Sequence, residues 1–299
     1  MEQALDTPTV RTSYERDLHR HWSDKTNDPI NLRLGAEDGL YHHHYGVGGF
    51  DPSVLQAPLD VREKLILAEM HRMENDQVSL ILDALGEVPA DARIMDAGSG
   101  RGGTSFLLHR RFGCLMDGVN FCGHHLDFSR QLGVRHGYQD RVQFTEANMV
   151  ATPFADQTFD YVVSNETTMY VDLDEAFGEF ARLLKPAGRY VLVTWCRDDT
   201  ATDVHPDADA IDRHYVCHIH RRSAYLRALL NAGLVPKQVT DLTTEAIPYW
   251  ELRSASELAT GVEPHFLDAY RQGQMNYIVI TADRISEAAS ENVAVRADG

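Results

Sequence analysis

Three stretches of this chain carry side chains able to do chemistry. The first is Ser164-Asn165-Glu166-Thr167-Thr168-Met169-Tyr170, where one carboxylate stands among small polar residues. Glu166 could act as a general base if it is desolvated and within hydrogen-bond reach of a proton. It could equally pair with an amino group or an arginine. The second stretch is Tyr41-His42-His43-His44-Tyr45. Three consecutive histidines point in different directions and so do not converge on one metal ion. The mixture suits an anionic headgroup beside an apolar or cationic group, or a lid packed by amphipathic rings. Third, large aromatic residues recur at Tyr45, Tyr170, Trp195, Tyr215, Tyr249 and Trp250. Aromatic faces stabilise a cation by roughly 0.5–2 kcal/mol each, so walls of this kind would suit a carbocation. Core packing would account for two or three of them.

These residues need a frame, and Ile94–Gly103 (IMDAGSGRGG) supplies its first unit. Ile94, Met95 and Ala97 surround Asp96 in a short apolar run, glycines follow at 98, 100, 102 and 103, and Thr104–Phe112 reads as an amphipathic helix. Strand, glycine turn and helix open a nucleotide-binding α/β sheet. The glycines let the backbone approach a cofactor where a Cβ would clash. Spacing 98/100/103 satisfies the dinucleotide pattern, whereas 98/100/102 led by Asp96 satisfies that of S-adenosylmethionine (SAM) enzymes.

Later segments favour SAM over a nicotinamide. Asn148-Met149 after the third strand, Pro153-Phe154 ahead of Phe159-Asp160, the run LLKPAGRYVLV at 183–193 and a late strand at 275–282 together resemble class I methyltransferases. That likeness implies a Rossmann-like, seven-stranded, mostly parallel sheet with an N-terminal helical lid and insertions. It places Asp96, Gly98, Gly100, Asn148 and Met149 on the cofactor. Many such enzymes end the second strand in an acid; here Gly118-Val119 is followed by Asn120, whose amide would take the ribose hydroxyls neutrally. His125 reads as a solvated surface histidine.

Helices are expected at Ser13–Asp24, Arg62–Leu85, Gly123–Leu132, Asp174–Leu184 and Ser223–Ala232, and strands at Leu115–Val119, Val142–Thr145, Phe159–Ser164, Arg189–Trp195, Lys237–Leu242 and Met275–Ala282. Residues 1–12 and 285–299 are expected to be disordered, and 13–88 to form a helical lid segment in which Pro29–Gly49 is the lid loop. Residues 89–284 are expected to form the core, with insertions at about 197–219 and 243–273. No run of about 18 apolar residues is present, so no membrane span or membrane partner is expected. The four cysteines lack C-x-x-C spacing, and no signal pattern opens the chain, which together fit a reducing cytoplasm. A net charge of −17 argues against nucleic acid as a partner.

Four further segments are more specific. NLRLG (31–35), DGLYHHHYG (38–46), NETTMYVDL (165–173) and IPYWELR with TGVE (247–253, 260–263) closely resemble bacterial geranyl diphosphate 2-C-methyltransferases. The resemblance runs from about residue 14 to 284 and implies C-methylation of a prenyl diphosphate alkene. Asn31, Arg33, Tyr41 and His42 would hold the diphosphate, with Mg²⁺ held through the substrate. Tyr45 and Tyr215 would flank a tertiary cation, and Glu166 would remove the proton. Asn165, Tyr170, Tyr249 and Trp250 would complete the substrate pocket. A homo-oligomer is plausible by the same resemblance. The family pattern carries phenylalanine where this chain has Tyr215, which leaves isopentenyl diphosphate as the rival to geranyl diphosphate. An O- or N-methyltransferase of a small natural product, and a non-catalytic SAM-binding protein, are the other readings.

Overall fold

A computed structural model describes residues 9–25, 28–201 and 205–285. The expectations for residues 1–8 and 286–299, and for part of the first insertion, fall outside those residues.

The chain begins with α1 (Ser13–Asp24), α2 (Pro29–Leu34), α3 (Ser53–Gln56) and α4 (Leu59–Leu85). Thr12 caps α1 in a reciprocal box with Glu15, which ties down residues that were expected to be disordered. The alternating core follows: β1 (Arg93–Ala97), α5 (Gly103–Phe112), β2 (Leu115–Asn120), α6 (Gly123–His136), β3 (Val142–Glu146), β4 (Phe159–Asn165), α7 (Leu173–Leu183) and β5 (Leu184–Arg197). The remaining elements are α8 (Pro206–Tyr215), α9 (Arg222–Asn231), β6 (Leu234–Asp241), α10 (Thr243–Ser254), α11 (Glu263–Arg271) and β7 (Met275–Arg284). Both proposed insertions are thus helical, and the proposed lid loop opens with α2.

The seven strands lie in the order β3-β2-β1-β4-β5-β7-β6. Strands β1 to β5 run parallel, and β7 is antiparallel to both β5 and β6. Period-two alternation feeds two cores. Ile94, Met116, Val163 and Val193 join α4, α5 and the inserted helices on one face. Met95, Ala97, Val162 and Leu192 pack with α7 and α9 on the other. The strand expected to begin at Arg189 begins earlier, at Leu184. Leu184 pairs with Phe159 and Arg189 with Tyr161, so the intervening residues bulge out, with Ala187 at φ 62°.

Helix α4 positions the site from behind. Met70, Met73, Gln77, Ile81 and Leu85 recur at helical spacing and are buried. Leu65 is exposed, because the buried stripe runs through the adjacent Ile66, which is fully buried.

Candidate active site

Open α/β sheets bind ligands beyond the carboxyl ends of their strands, and a cavity lies there. It encloses about 890 Å³, open on one side. Its floor is the glycine turn, in which Gly98, Gly100 and Gly102 hold φ of 85°, 53° and 86°. Gly98 N and Ser99 N both donate to Val119 O, at 2.9 and 3.0 Å, which folds the turn back over β2. A Cβ on Gly98 would stand 2.4 Å from Thr167 Cγ2, so this position needs glycine for packing as well as for backbone angle. Beneath the turn, Asp96 accepts from Ser105 Oγ at 2.6 Å, and burial pushes its carboxyl up to about 6.

Glu166 follows β4 at φ 53°, a left-handed conformation rarely held by a side-chain-bearing residue. Its own N–H donates to Val193 O at 2.8 Å, which holds the backbone there. The carboxylate is buried in the cavity wall. Oε1 accepts from Tyr45 N at 3.1 Å and from the Tyr277 hydroxyl at 2.5 Å. Oε2 is buried and has no hydrogen-bond partner among the described residues. Desolvation, opposed by those two donors, raises the carboxyl to about 8.

Around Glu166 stand Tyr45, Tyr170, Trp195, Tyr215 and Trp22, all lining the cavity. The hydroxyls of Tyr45 and Tyr215 are hydrogen-bonded to each other. Tyr45 packs 5.5 Å from Trp195 and 4.3 Å from Trp250, centroid to centroid. Lys25 Nζ lies 4.7 Å from the Trp22 ring centre and 5.4 Å from that of Tyr215, and burial lowers its pKa.

The cavity gathers Tyr45, Gly98, Gly100, Asn120, Asn148, Met149, Asn165, Glu166, Tyr170 and Tyr215. Asn120 Oδ1 already accepts from Cys122 N at 2.9 Å, which leaves its NH2 for a ligand. A smaller adjoining chamber of about 270 Å³ takes Tyr41, His42 and Asp96. Four expected site residues line neither space. Asn31 donates to Asp28 Oδ2 at 2.7 Å, and Arg33 is exposed, because α2 turns Ile30 and Leu34 inward. Tyr249 donates to Glu74 Oε1 at 2.7 Å, and Trp250 stacks on Phe266 at 3.8 Å, so both support Tyr45 from behind.

Two histidine readings change. His42 touches Asn75 and His44, and burial lowers its pKa to about 3, so it meets an anion as a neutral donor at most. His125, read as solvated, is buried on the cavity wall, and desolvation lowers its pKa to about 2. Besides His43 and Tyr45 of the expected lid loop, helix α1 covers the cavity. Glu15, Leu18 and Trp22 of α1 close over the cavity, and Trp22 meets His43, His125 and Tyr170 edge-on. The 3.6-residue spacing in Ser13–Asp24 was visible, but nothing in it told which surface it would cover. Tyr277 and Gln77 were not singled out, since a tyrosine inside a strand and a glutamine inside a helix carry no local mark.

A methyltransferase domain model matches residues 95–192. The geranyl diphosphate 2-C-methyltransferase of Streptomyces ambofaciens is 42% identical over 279 residues, covering 93% of this chain and 96% of the relative. That of Saccharopolyspora erythraea is 42% identical over 277 residues, covering 93% and 97%. A geranyl diphosphate methyltransferase in complex with GPP and sinefungin superposes with a TM-score of 0.88 at 42% identity, covering 92% of this chain and 100% of that one. The Streptomyces coelicolor A3(2) enzyme, in complex with Mg²⁺, geranyl-S-thiolodiphosphate and S-adenosyl-L-homocysteine, gives 0.89 at 41% identity, covering 93% and 100%. With relatives this similar over nearly its whole length, and with the sheet order just described, the chain belongs to the geranyl diphosphate 2-C-methyltransferase family.

Proposed function

We propose that this chain transfers the methyl group of SAM to an alkene carbon of geranyl diphosphate, and that Glu166 then removes a proton to restore the double bond. The observation that carries the reading is Glu166, which lines a cavity walled by the glycine turn and by aromatic rings, and whose buried Oε2 has no partner among the described residues.

The residues present fit the donor. Asp96, whose carboxyl burial disfavours as an anion, would gain from an ammonium group. Arg101 donates to His43 Nε2 at 2.9 Å, which leaves a buried His43 Nδ1–H that has no partner among the described residues and could meet a carboxylate. These are the two ends of an amino-acid group, and Asn120, Asn148 and Met149 would hold the nucleoside. When bound, the sulfonium supplies an electrophilic methyl carbon.

An alkene is a poor nucleophile, so the walls must align it and exclude water. Trp22, Tyr45, Tyr170, Trp195 and Tyr215 line the cavity and would do both, with their π-systems available to a cation. Lys25, desolvated at the aromatic rim, gains from an anion and marks the diphosphate end. Among the described residues, no three His, Cys, Asp or Glu side chains converge to hold a metal ion. Mg²⁺, present with substrate in the coelicolor relative, would be carried by diphosphate oxygens. A positive charge beside Glu166 favours its ionised form, so donor and cation would prepare the base they need.

The test is incubation with methyl-labelled SAM and C5, C10 and C15 prenyl diphosphates, read by product mass and NMR. A C11 diphosphate with a new carbon–methyl bond is expected. Turnover of the C5 substrate alone would move the assignment to isopentenyl diphosphate, and label on oxygen or nitrogen would refute carbon methylation.

A further inference from the structure

The carboxylate of Glu166 is asymmetric. Both donors that reach it, Tyr45 N–H and the Tyr277 hydroxyl, go to Oε1. The tyrosine is itself held one residue further back. Gln77 and Asn165 form a reciprocal amide pair, with Gln77 Nε2 to Asn165 Oδ1 at 2.6 Å and Asn165 Nδ2 to Gln77 Oε1 at 3.0 Å. The Glu166 carboxylate can only accept, so the Tyr277 proton goes to Oε1 and the phenol oxygen is left to accept from Gln77 Nε2, at 3.0 Å. Gln77 and Tyr277 are buried and do not line the cavity.

We infer that Tyr277, oriented by Gln77 of α4, is a positioning residue: it occupies Glu166 Oε1 so that Oε2 alone receives the proton from substrate. The inference rests on Glu166 being the base. In the step concerned, a C–H bond at the newly methylated carbon breaks. Its electron pair becomes the π-bond to the adjacent cationic carbon, and the proton forms a bond to Oε2. A carboxylate free to rotate would offer either oxygen, and protons on other neighbours of the cationic carbon would come within reach. The other titratable groups facing Glu166 are Glu74 of α4, which disfavours its anion, and the phenols of Tyr45, Tyr170, Tyr215 and Tyr270, all kept protonated by burial. Tyr277 acts against Glu74 by donating to the anion.

The experiment compares Tyr277→Phe, Gln77→Leu and Glu166→Gln as full-length proteins, with SAM affinity measured by calorimetry to establish folding. Tyr277→Phe is expected to bind SAM as the parent does and to lose roughly 10- to 100-fold in kcat. Its acid limb should move up by about one pH unit, as expected for one charge-assisted hydrogen bond. Positional alkene isomers should appear beside the main product. Gln77→Leu should move the same readouts in the same direction by less. An unchanged acid limb and product ratio in Tyr277→Phe, with Glu166→Gln inactive, overturns the positioning role and leaves the base intact. Full turnover in Glu166→Gln overturns the base reading itself. Should Tyr277→Phe fail to bind SAM, Gln77→Leu decides by the same two readouts.

Discussion

Replacing Glu166 by glutamine keeps the shape of the side chain and removes both its proton affinity and its charge. As a lost general base, the change should lower kcat by roughly 10²- to 10⁴-fold while SAM affinity stays within about twofold. It also has a signature in stability. The folded carboxyl titrates near 8, against 4.5 as an ordinary glutamate, so the folded state holds its proton longer than the unfolded state does. That stabilising difference is complete below about 4.5 and is lost as the pH rises through about 8. At about 1.36 kcal/mol per pH unit, the difference is of the order of a few kcal/mol. The amide escapes this penalty. At pH 9 the ligand-free variant should therefore melt several degrees above the parent, at about 2 °C per kcal/mol for a chain of this size, and at pH 5 the two should coincide. Differential scanning calorimetry across pH, paired with single-turnover kinetics, checks both halves. A variant retaining a third of parental turnover would refute the base, and a melting gap independent of pH would refute the desolvated carboxylate.

Three further outcomes follow from the site. Gly98→Ala places a Cβ 2.4 Å from Thr167 Cγ2 at a backbone angle of φ 85°, so SAM binding by calorimetry should fall at least about tenfold. Trp22→Ala opens the wall beside His43, His125 and Tyr170. Its KM for the prenyl substrate should rise about tenfold, and a water-capture alcohol should appear in the product spectrum; a product profile like the parent's would show that Trp22 does not exclude water. Chelation by EDTA should abolish turnover without altering SAM affinity, and added Mg²⁺ should restore it; activity that survives chelation would remove the metal from the diphosphate reading.

The seven-strand core was legible because its signals are local. A period-two run before a glycine turn, and the same pattern repeated with helices between, is written within a few dozen residues. Glu166 could be singled out for the same reason: it stands at the end of β4, and a parallel strand's carboxyl end is a site by topology. Strand ends were misjudged where tertiary pairing extends them, as when β5 begins at Leu184 through a bulge rather than at Arg189.

What the linear order determined by itself was the frame, the glycine turn after β1 and the place of Glu166 at the end of β4. The folded chain alone decided what surrounds that acid. Tyr45 lies 121 residues from Glu166 and Tyr277 lies 111 away on the other side, yet both donate to the same oxygen. Asn31 and Arg33 precede the buried His42–His44 segment in sequence, but they lie on the outer face of α2 and point away for want of apolar character. Helix α1 could have covered any apolar surface, and His125 could have faced water. Which contacts form across such separations depends on how whole faces pack to bury apolar area. Side-chain partnership at the site is therefore a property of the assembled layers, not of any segment read alone.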